Sequence, residues 1–441
     1  MLSVLRNMTY RRLFFAQVVA LLGTGLLTVA LGLLAFDLAG SNAGFVMGTA
    51  LTIKMLAYVF FAPVVNALVS RLPKKRVLIG ADLVRAGMAV LLPFITETWQ
   101  IYVVVFLLQS ASATFTPAFQ SMIPAVLKDE RDYTRALSLS RLAYDLEAVL
   151  SPAVAAVLLT VLTYNNLFLG TVAGFMFSAV LVASTTLPAP GAAPALGSLW
   201  HRTTLGVRIF WQTPRLRSLL ALNLVVAAPT ALVLVNTVVY VRDILGRPDT
   251  DLALALACFG VGSMSVAVAA PPLLERLGDR VVMLSSAGMI PAVLAGATAV
   301  SFLMDGSRSA PAPDQAAGSG AWWWLLGLWF VLGAGNAAIL TPSSRLLRAA
   351  STEETRPYVF TAQFSLSHAC YIVSYPLAGW IGAAAGLGWA GLALTLVAIM
   401  GSAGAFLSWP RQSVPALENH VSEEGPDEQP AGRTPQQRTR R

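Results

Sequence analysis

Three ionisable residues stand within one apolar stretch: Arg141, Asp145 and Glu147 all lie in Arg135–Leu158, RALSLSRLAYDLEAVLSPAVAAVL. The stretch is long enough to cross a bilayer. A charge at mid-membrane depth costs roughly 2.5–3.5 kcal/mol on insertion scales. A helix carrying three must turn them toward other helices or a water-filled cavity. Arg141 and Asp145 are four residues apart, the spacing of an ion pair along one helical face, and a structural pair accounts for both. Glu147 points nearly the opposite way, on a face with Ser140, Tyr144 and Ser151. It has no partner in its own helix, and a carboxylate so placed can hold a proton or a cation in competition. Lys54 lies about ten residues from either end of its own apolar segment, too deep for its ammonium to snorkel to the surface. It therefore calls for a buried partner such as Asp145 or Glu147, or for an anionic cargo. His368 is the one histidine inside an apolar segment. Imidazole suits nickel and other borderline metals, so His368 and Glu147 are candidate metal ligands. Cys370, two residues on, points away from His368 and cannot join it on one ion.

The elements that must hold these groups are membrane spans. The chain has 441 residues, 56% hydrophobic and 12% charged, with a mean hydropathy of +0.67. Soluble domains carry about 25% charged residues. An all-α protein embedded in a lipid bilayer is expected. Spans fall at about 13–36, 44–69, 77–95, 100–127, 136–162, 165–187, 218–241, 252–274, 281–304, 321–344, 358–384 and 387–409, twelve in number. The first is too long for a signal-peptide core and is kept as a span. Lys and Arg crowd one set of connections, and the other set holds only Arg242, Arg247 and Arg308. By the positive-inside rule both termini are cytoplasmic, with the chain in a bacterial inner membrane. The same placement explains the net charge of +8 without a nucleic-acid partner. Cys258 and Cys370 both lie in apolar segments and suggest neither a disulfide framework nor a CxxC metal site. No phosphate-binding GxxxxGK[ST] loop, HExxH helix or Ser/His/Asp set is evident, so neither an enzyme nor a cofactor is expected.

Segment 188–217 opens Pro/Gly/Ala-rich and continues as SLWHRTTLGVRIFWQ, which reads as an amphipathic helix on the membrane surface. It divides the chain into residues 1–187 and 218–410, and the polar tail 411–441 is expected to be disordered. The two parts repeat. Arg11, Gln17, Asp37 and Gly40 recur as Arg217, Asn223, Asp243 and Gly246 at an offset of 206, and Pro152 recurs as Pro376 at 224. A duplicated six-helix unit with a binding site between its copies is a transporter architecture. By the same repeat, His368 corresponds to Tyr144.

These features resemble the major facilitator superfamily. Asn66–Arg76, NALVSRLPKKR, sits where that superfamily has its G-x-L-a-D-r-x-G-r-[rk] gating motif. Arg71 and the basic run with Lys75 are kept, whereas Asn66 and Ser70 replace the glycine and the aspartate. The second copy, Glu275-Arg276-Leu277-Gly278-Asp279-Arg280, lies closer to the pattern. RNMTYRRLFFAQVVALLGTGL, LLAFDLAG, KMLAYV, DLVRA and DYTRALSLSRLAYDLE are similar to nickel-resistance permeases of the NreB type, in the branch that also holds enterobactin and macrolide exporters. The resemblance implies twelve transmembrane helices in two pseudo-symmetric six-helix bundles, and proton-driven export of nickel or a related divalent cation by alternating access. It is expected to work as a monomer. Spans 1, 4, 7 and 10 would line the path, so Gln109, Asn223, Asn236 and Asn336 either line it or glue helices together. Asp82 and Arg85 would pair with each other or with the basic loop. Asp37 and Asp243 read as helix ends, and Trp322-Trp323-Trp324 as an interfacial anchor. Export of an organic cargo (drug, siderophore or metal chelate) is the alternative, favoured by Lys54. A membrane scaffold or sensor would require replaceable buried charges.

Overall fold

The computed structural model describes residues 2–61, 72–127, 129–186, 199–307, 315–352 and 355–410. Arg71, most of the Asn66–Arg76 motif, the first part of the linker and the tail lie outside the described residues. So do the side chains of Arg141 and Asp145.

The described chain is helical. The long elements are α1 (Met8–Ala39), α2 (Ala43–Leu56, continued by a π-helical turn Ala57–Phe61), α3 (Lys74–Leu91), α4 (Thr98–Val126), α5 (Glu130–Leu158) and α6 (Tyr164–Ala183). A shorter α7 (Leu199–Gln212) precedes α8 (Pro214–Val238, continued by Val239–Ile244), α9 (Asp249–Ser307), α10 (Gln315–Ala349), α11 (Arg356–Pro376, continued to Ala385) and α12 (Leu387–Ser408). Nine stretches among the described residues are long and apolar enough to span a membrane. The first of them, Met8–Phe61, holds both α1 and α2. Helices α5 and α11 are not among these nine. These are the helices of Glu147 and His368.

Local chemistry sets the helix ends. Asn7 caps α1 by accepting the Tyr10 amide at 3.0 Å. The C-terminal carbonyls of α6 are met by cations from two other helices. Arg12 donates to Ser184 O, and Lys75 Nζ donates to Thr185 O at 2.7 Å. The connection that the sequence places between spans 8 (252–274) and 9 (281–304) is a sharp break between two consecutive helices at Gly278. There φ is +75° with nothing within 4 Å of a Cβ position, so the backbone dihedral alone demands glycine.

Helix α1 packs on α5 and α6, α3 packs on α4 and α6, and α8 and α9 pack on each other and on α10 and α12. The helices before the linker meet those after it where α2 packs on α8 and α11, and where α5 packs on α9. Small residues allow close approach. Thr171 Oγ1 donates to Gly23 O at 2.9 Å between α6 and α1, and Gly262 and Gly333 each lie against the other helix's backbone between α9 and α10. We call the end holding the start of α1 and the end of α12 proximal, and the opposite end distal. At the distal end of the α2–α11 seam, a Cβ on Gly48 would lie 2.8 Å from Tyr375 O and 2.9 Å from Gly379 Cα. Trp380 Nε1 donates to Thr49 Oγ1 there at 2.9 Å. Trp322 differs from its expected role as an anchor: it is buried under the Arg247 guanidinium at 4.3 Å, while Trp323 and Trp324 stay exposed.

Candidate functional site

Helices α2, α4, α5 and α11 bring polar side chains together near mid-length. Lys54 of α2 and Glu147 of α5 interact electrostatically across the gap between their helices but do not close into a contact ion pair. Both are partly exposed, which at this depth means they border an interior space. Glu147 reaches α1 over Gly25: a Cβ on Gly25 would lie 2.9 Å from Glu147 Oε1 and would overlap the Ser151 side chain. Ser151 Oγ is buried with no partner among the described residues.

Tyr58, one turn after Lys54, joins the parts of this cluster. The Lys54 ammonium lies 5.8 Å from its ring, within cation–π range. Its hydroxyl donates to Gln109 Oε1 at 3.3 Å. Tyr144, Arg85 and Glu147 are its electrostatic neighbours. From α11, His368 and Phe364 pack on the same ring, with centroids at 5.5 and 6.4 Å. Sequence reasoning passed over Tyr58. Its signal was the four-residue spacing from Lys54, which puts both on one helical face.

Asp82 and Arg85 pair with each other inside α3, and both are buried. Ser178 of α6 donates to Asp82 Oδ2 at 2.7 Å, and the guanidinium lies between Phe115 and Phe175 at 4.3 and 4.4 Å. This pair ties α3 to α4 and α6. Of the other gating candidates, Lys75 caps α6 as described, Arg276 is exposed, and Arg280 is exposed beside the Gly278 break. Asp279 faces Arg345 of α10 at 3.7 Å.

The asparagines proposed for the path hold helices together. Asn223 and Gln363 exchange two amide hydrogen bonds of 3.2 and 3.1 Å between α8 and α11. Asn236 Nδ2 donates to Ala378 O at 3.2 Å, and Asn336 Nδ2 to Thr230 Oγ1 at 2.8 Å. Asp37 is more than a helix end, because it accepts the Tyr164 hydroxyl at 2.5 Å and so links α1 to α6.

No third ligand joins the expected metal ligands His368 and Glu147 among the described residues. Among the described residues no three His, Cys, Asp or Glu side chains converge on one point. His368 Nδ1 is 2.7 Å from Phe364 O, the imidazole lies tilted against the Tyr58 and Phe364 rings, and the nearby Lys54 ammonium would repel a metal cation. Cys370 Sγ turns to Leu366 O at 3.4 Å.

Macrolide efflux protein A of Streptococcus pyogenes is 26% identical over 190 residues, which cover 42% of this chain and 46% of that protein. The Enterococcus faecalis protein of the same name is 28% identical over 155 residues, 33% of this chain and 48% of that one. The chain thus matches about half the length of these curated relatives. Among solved structures, a POT family peptide transporter in an auto-inhibited form aligns over 93% of this chain and 98% of its own, at a TM-score of 0.68 and 13% identity. The nucleoside transporter NupG aligns over 91% of this chain and 98% of its own, at a TM-score of 0.64 and 13% identity. These structures share the fold. The profile of the Major Facilitator Superfamily matches residues 13–312 and 219–437, and with a helical order and packing to correspond, the chain belongs to that superfamily.

Proposed function

We propose that this protein is a proton-coupled exporter of an organic, amphipathic cargo. Its two halves, residues 1–187 and 218–410, would rock about the site between α2, α5 and α11. The observation that carries this reading is the Lys54–Glu147 pair. Two opposite charges are held near each other at membrane depth, short of contact and open to an interior space. Such a pair is poised to exchange partners. A proton on Glu147 releases Lys54, and loss of the proton restores the attraction, so occupancy of the carboxylate is linked to the arrangement of α2 against α5. Tyr144 and Gln109 hold Tyr58 and the pair in register. Arg141 and Asp145, one turn apart on α5, are assigned to fixing that helix.

The aromatic surface of Tyr58, Phe364 and His368 beside the pair suits a bulky apolar cargo, and the similarity to macrolide efflux proteins supports an organic one. Nickel, the other cargo the sequence suggested, lacks a ligand set among the described residues. The Lys/Arg distribution supports an inner-membrane protein with both termini in the cytoplasm; the protein would work as a monomer.

The test is accumulation of a radiolabelled macrolide in an efflux-deficient bacterial strain, with and without the protein and with a protonophore, and with nickel run in parallel. Lower macrolide content that the protonophore restores supports the reading. Unchanged macrolide together with lowered nickel would overturn it.

A further inference from the structure

Ser151 differs from other hydroxyls on the helices around the coupling site. Thr24 and Thr28 of α1 and Ser110 of α4 each donate to the carbonyl one turn back, at 2.9, 3.1 and 2.7 Å. Ser151 does not: it is buried, and its Oγ has no hydrogen-bond partner among the described residues. A buried hydroxyl left unpaired gains from any polar group that reaches it. Glu147 lies one turn before it on α5, the spacing of neighbouring side chains on a helix. Both flank Gly25 of α1. The point where a Cβ would stand on Gly25 falls within the Ser151 side chain and 2.9 Å from Glu147 Oε1. The bare glycine thus leaves the carboxyl a place beside Ser151, while Lys54 faces it from α2 without contact. Lys54 and Tyr58 of α2 are the titratable groups that face Glu147 from other helices. Between Arg12 and Asp37, α1 has no titratable residue, and α4 has none after Tyr102. Helix α9, which packs on α5, has only Cys258 between Asp251 and Glu275. On α5 itself stand Tyr144, Arg141 and Asp145. The repeat does not preserve the arrangement. At the offsets of 206 and 224, Gly25, Glu147 and Ser151 become Ala231, Tyr371 and Tyr375, so the gap and the small hydroxyl occur only in the half that has the carboxylate.

Resting on the function proposed above, we infer that Ser151 is a positioning residue, the second berth of Glu147. Ionised, the carboxylate is drawn to Lys54. Once a proton from the aqueous space has bound to it, that attraction is gone. The acid then has an O–H to donate, and Ser151 Oγ is the free acceptor beside it. The carboxyl settles against Ser151 and Gly25, so the protonated side chain is held on α5 and α1 and α2 is released.

The experiment follows the carboxylic-acid carbonyl band of the purified protein in lipid by infrared spectroscopy as the pH is varied. Glu147→Gln identifies the band by removing it. In Ser151→Ala the acid loses its acceptor, so the band should move to higher frequency. The protonated form also loses its partner, so the midpoint of the titration should fall by about half a unit to one unit, the value of one neutral hydrogen bond. A merely structural role for Ser151 would move neither. Ser151→Cys, close in size and a weaker acceptor, should shift both in the same direction and carries the test if Ser151→Ala fails to fold. A band and midpoint equal to those of the wild type in the folded variant would overturn the berth while leaving the exporter reading intact. Absence of any titrating band that Glu147→Gln removes would overturn both.

Discussion

Replacing Lys54 with Met removes the cation that faces Glu147, and the cost can be worked from the geometry. Two unit charges in contact at 4 Å would attract by about 4 kcal/mol at an effective dielectric of 20. Lys54 and Glu147 are not in contact, and both are partly exposed. Solvent screening reduces the attraction to about 1–2 kcal/mol. Lys54→Met and Glu147→Gln should therefore each destabilise the protein, because each strands a charge of one sign among α2, α5 and α11. The double variant should recover about 1–2 kcal/mol of the summed loss, since neither charge is then left alone. The assay is reversible unfolding of all four proteins in mixed micelles, followed by tryptophan fluorescence. The coupling energy is the difference between the double variant's loss and the sum of the single losses. Losses that add to within about 0.5 kcal/mol would mean that the two side chains do not sense each other, and the coupling mechanism would lose its basis.

Three further outcomes are expected. Asp82→Asn should lower stability by about 3–5 kcal/mol by leaving Arg85 buried without its anion, read as lost membrane yield and a lower Tm; Arg85→Lys should not substitute for Arg85, because an ammonium cannot stack between Phe115 and Phe175 as the planar guanidinium does. Gly48→Ala should force α2 away from Tyr375 O and Gly379 at a cost of about 1–3 kcal/mol, and a cysteine placed at Thr49 in a background without Cys258 and Cys370 should then react faster with a membrane-impermeant maleimide; an unchanged rate would show that this seam does not hold the distal end closed. Adding nickel to the purified protein should leave its Tm unchanged, and a rise of several degrees would reinstate the metal cargo.

Much of the helical order was legible because a membrane span has a length set by the bilayer and a composition set by its solvent. Even α5 and α11, with charged or polar residues in mid-span, were legible as spans from their own length and composition. The boundary between spans 8 and 9 falls where the sequence places it, but as a tighter turn than a loop. A single residue with positive φ, Gly278, turns the chain where a loop was expected, and no hydropathy pattern reports a dihedral angle. Glu147 and Lys54 stood out because charge at depth is costly whatever the fold. That they face each other depends on which helices are neighbours, and neither spacing nor composition encodes that. The asparagines show the same limit. Asn223 and Asn336 read equally well as glue or as pore lining until Gln363 and Thr230 are seen beside them. His368 looked like a ligand from its type alone, and its aromatic and cationic neighbours argue otherwise.

The central claim is that Glu147 carries the proton that drives export. Its most direct test is cargo-dependent proton flux in liposomes reconstituted with the wild type or with Glu147→Gln and loaded with a pH-sensitive dye. Adding a macrolide under an imposed pH gradient should move protons through the wild type. Glu147→Gln should still bind the macrolide and show no coupled flux. Proton flux through Glu147→Gln equal to that of the wild type would contradict the account.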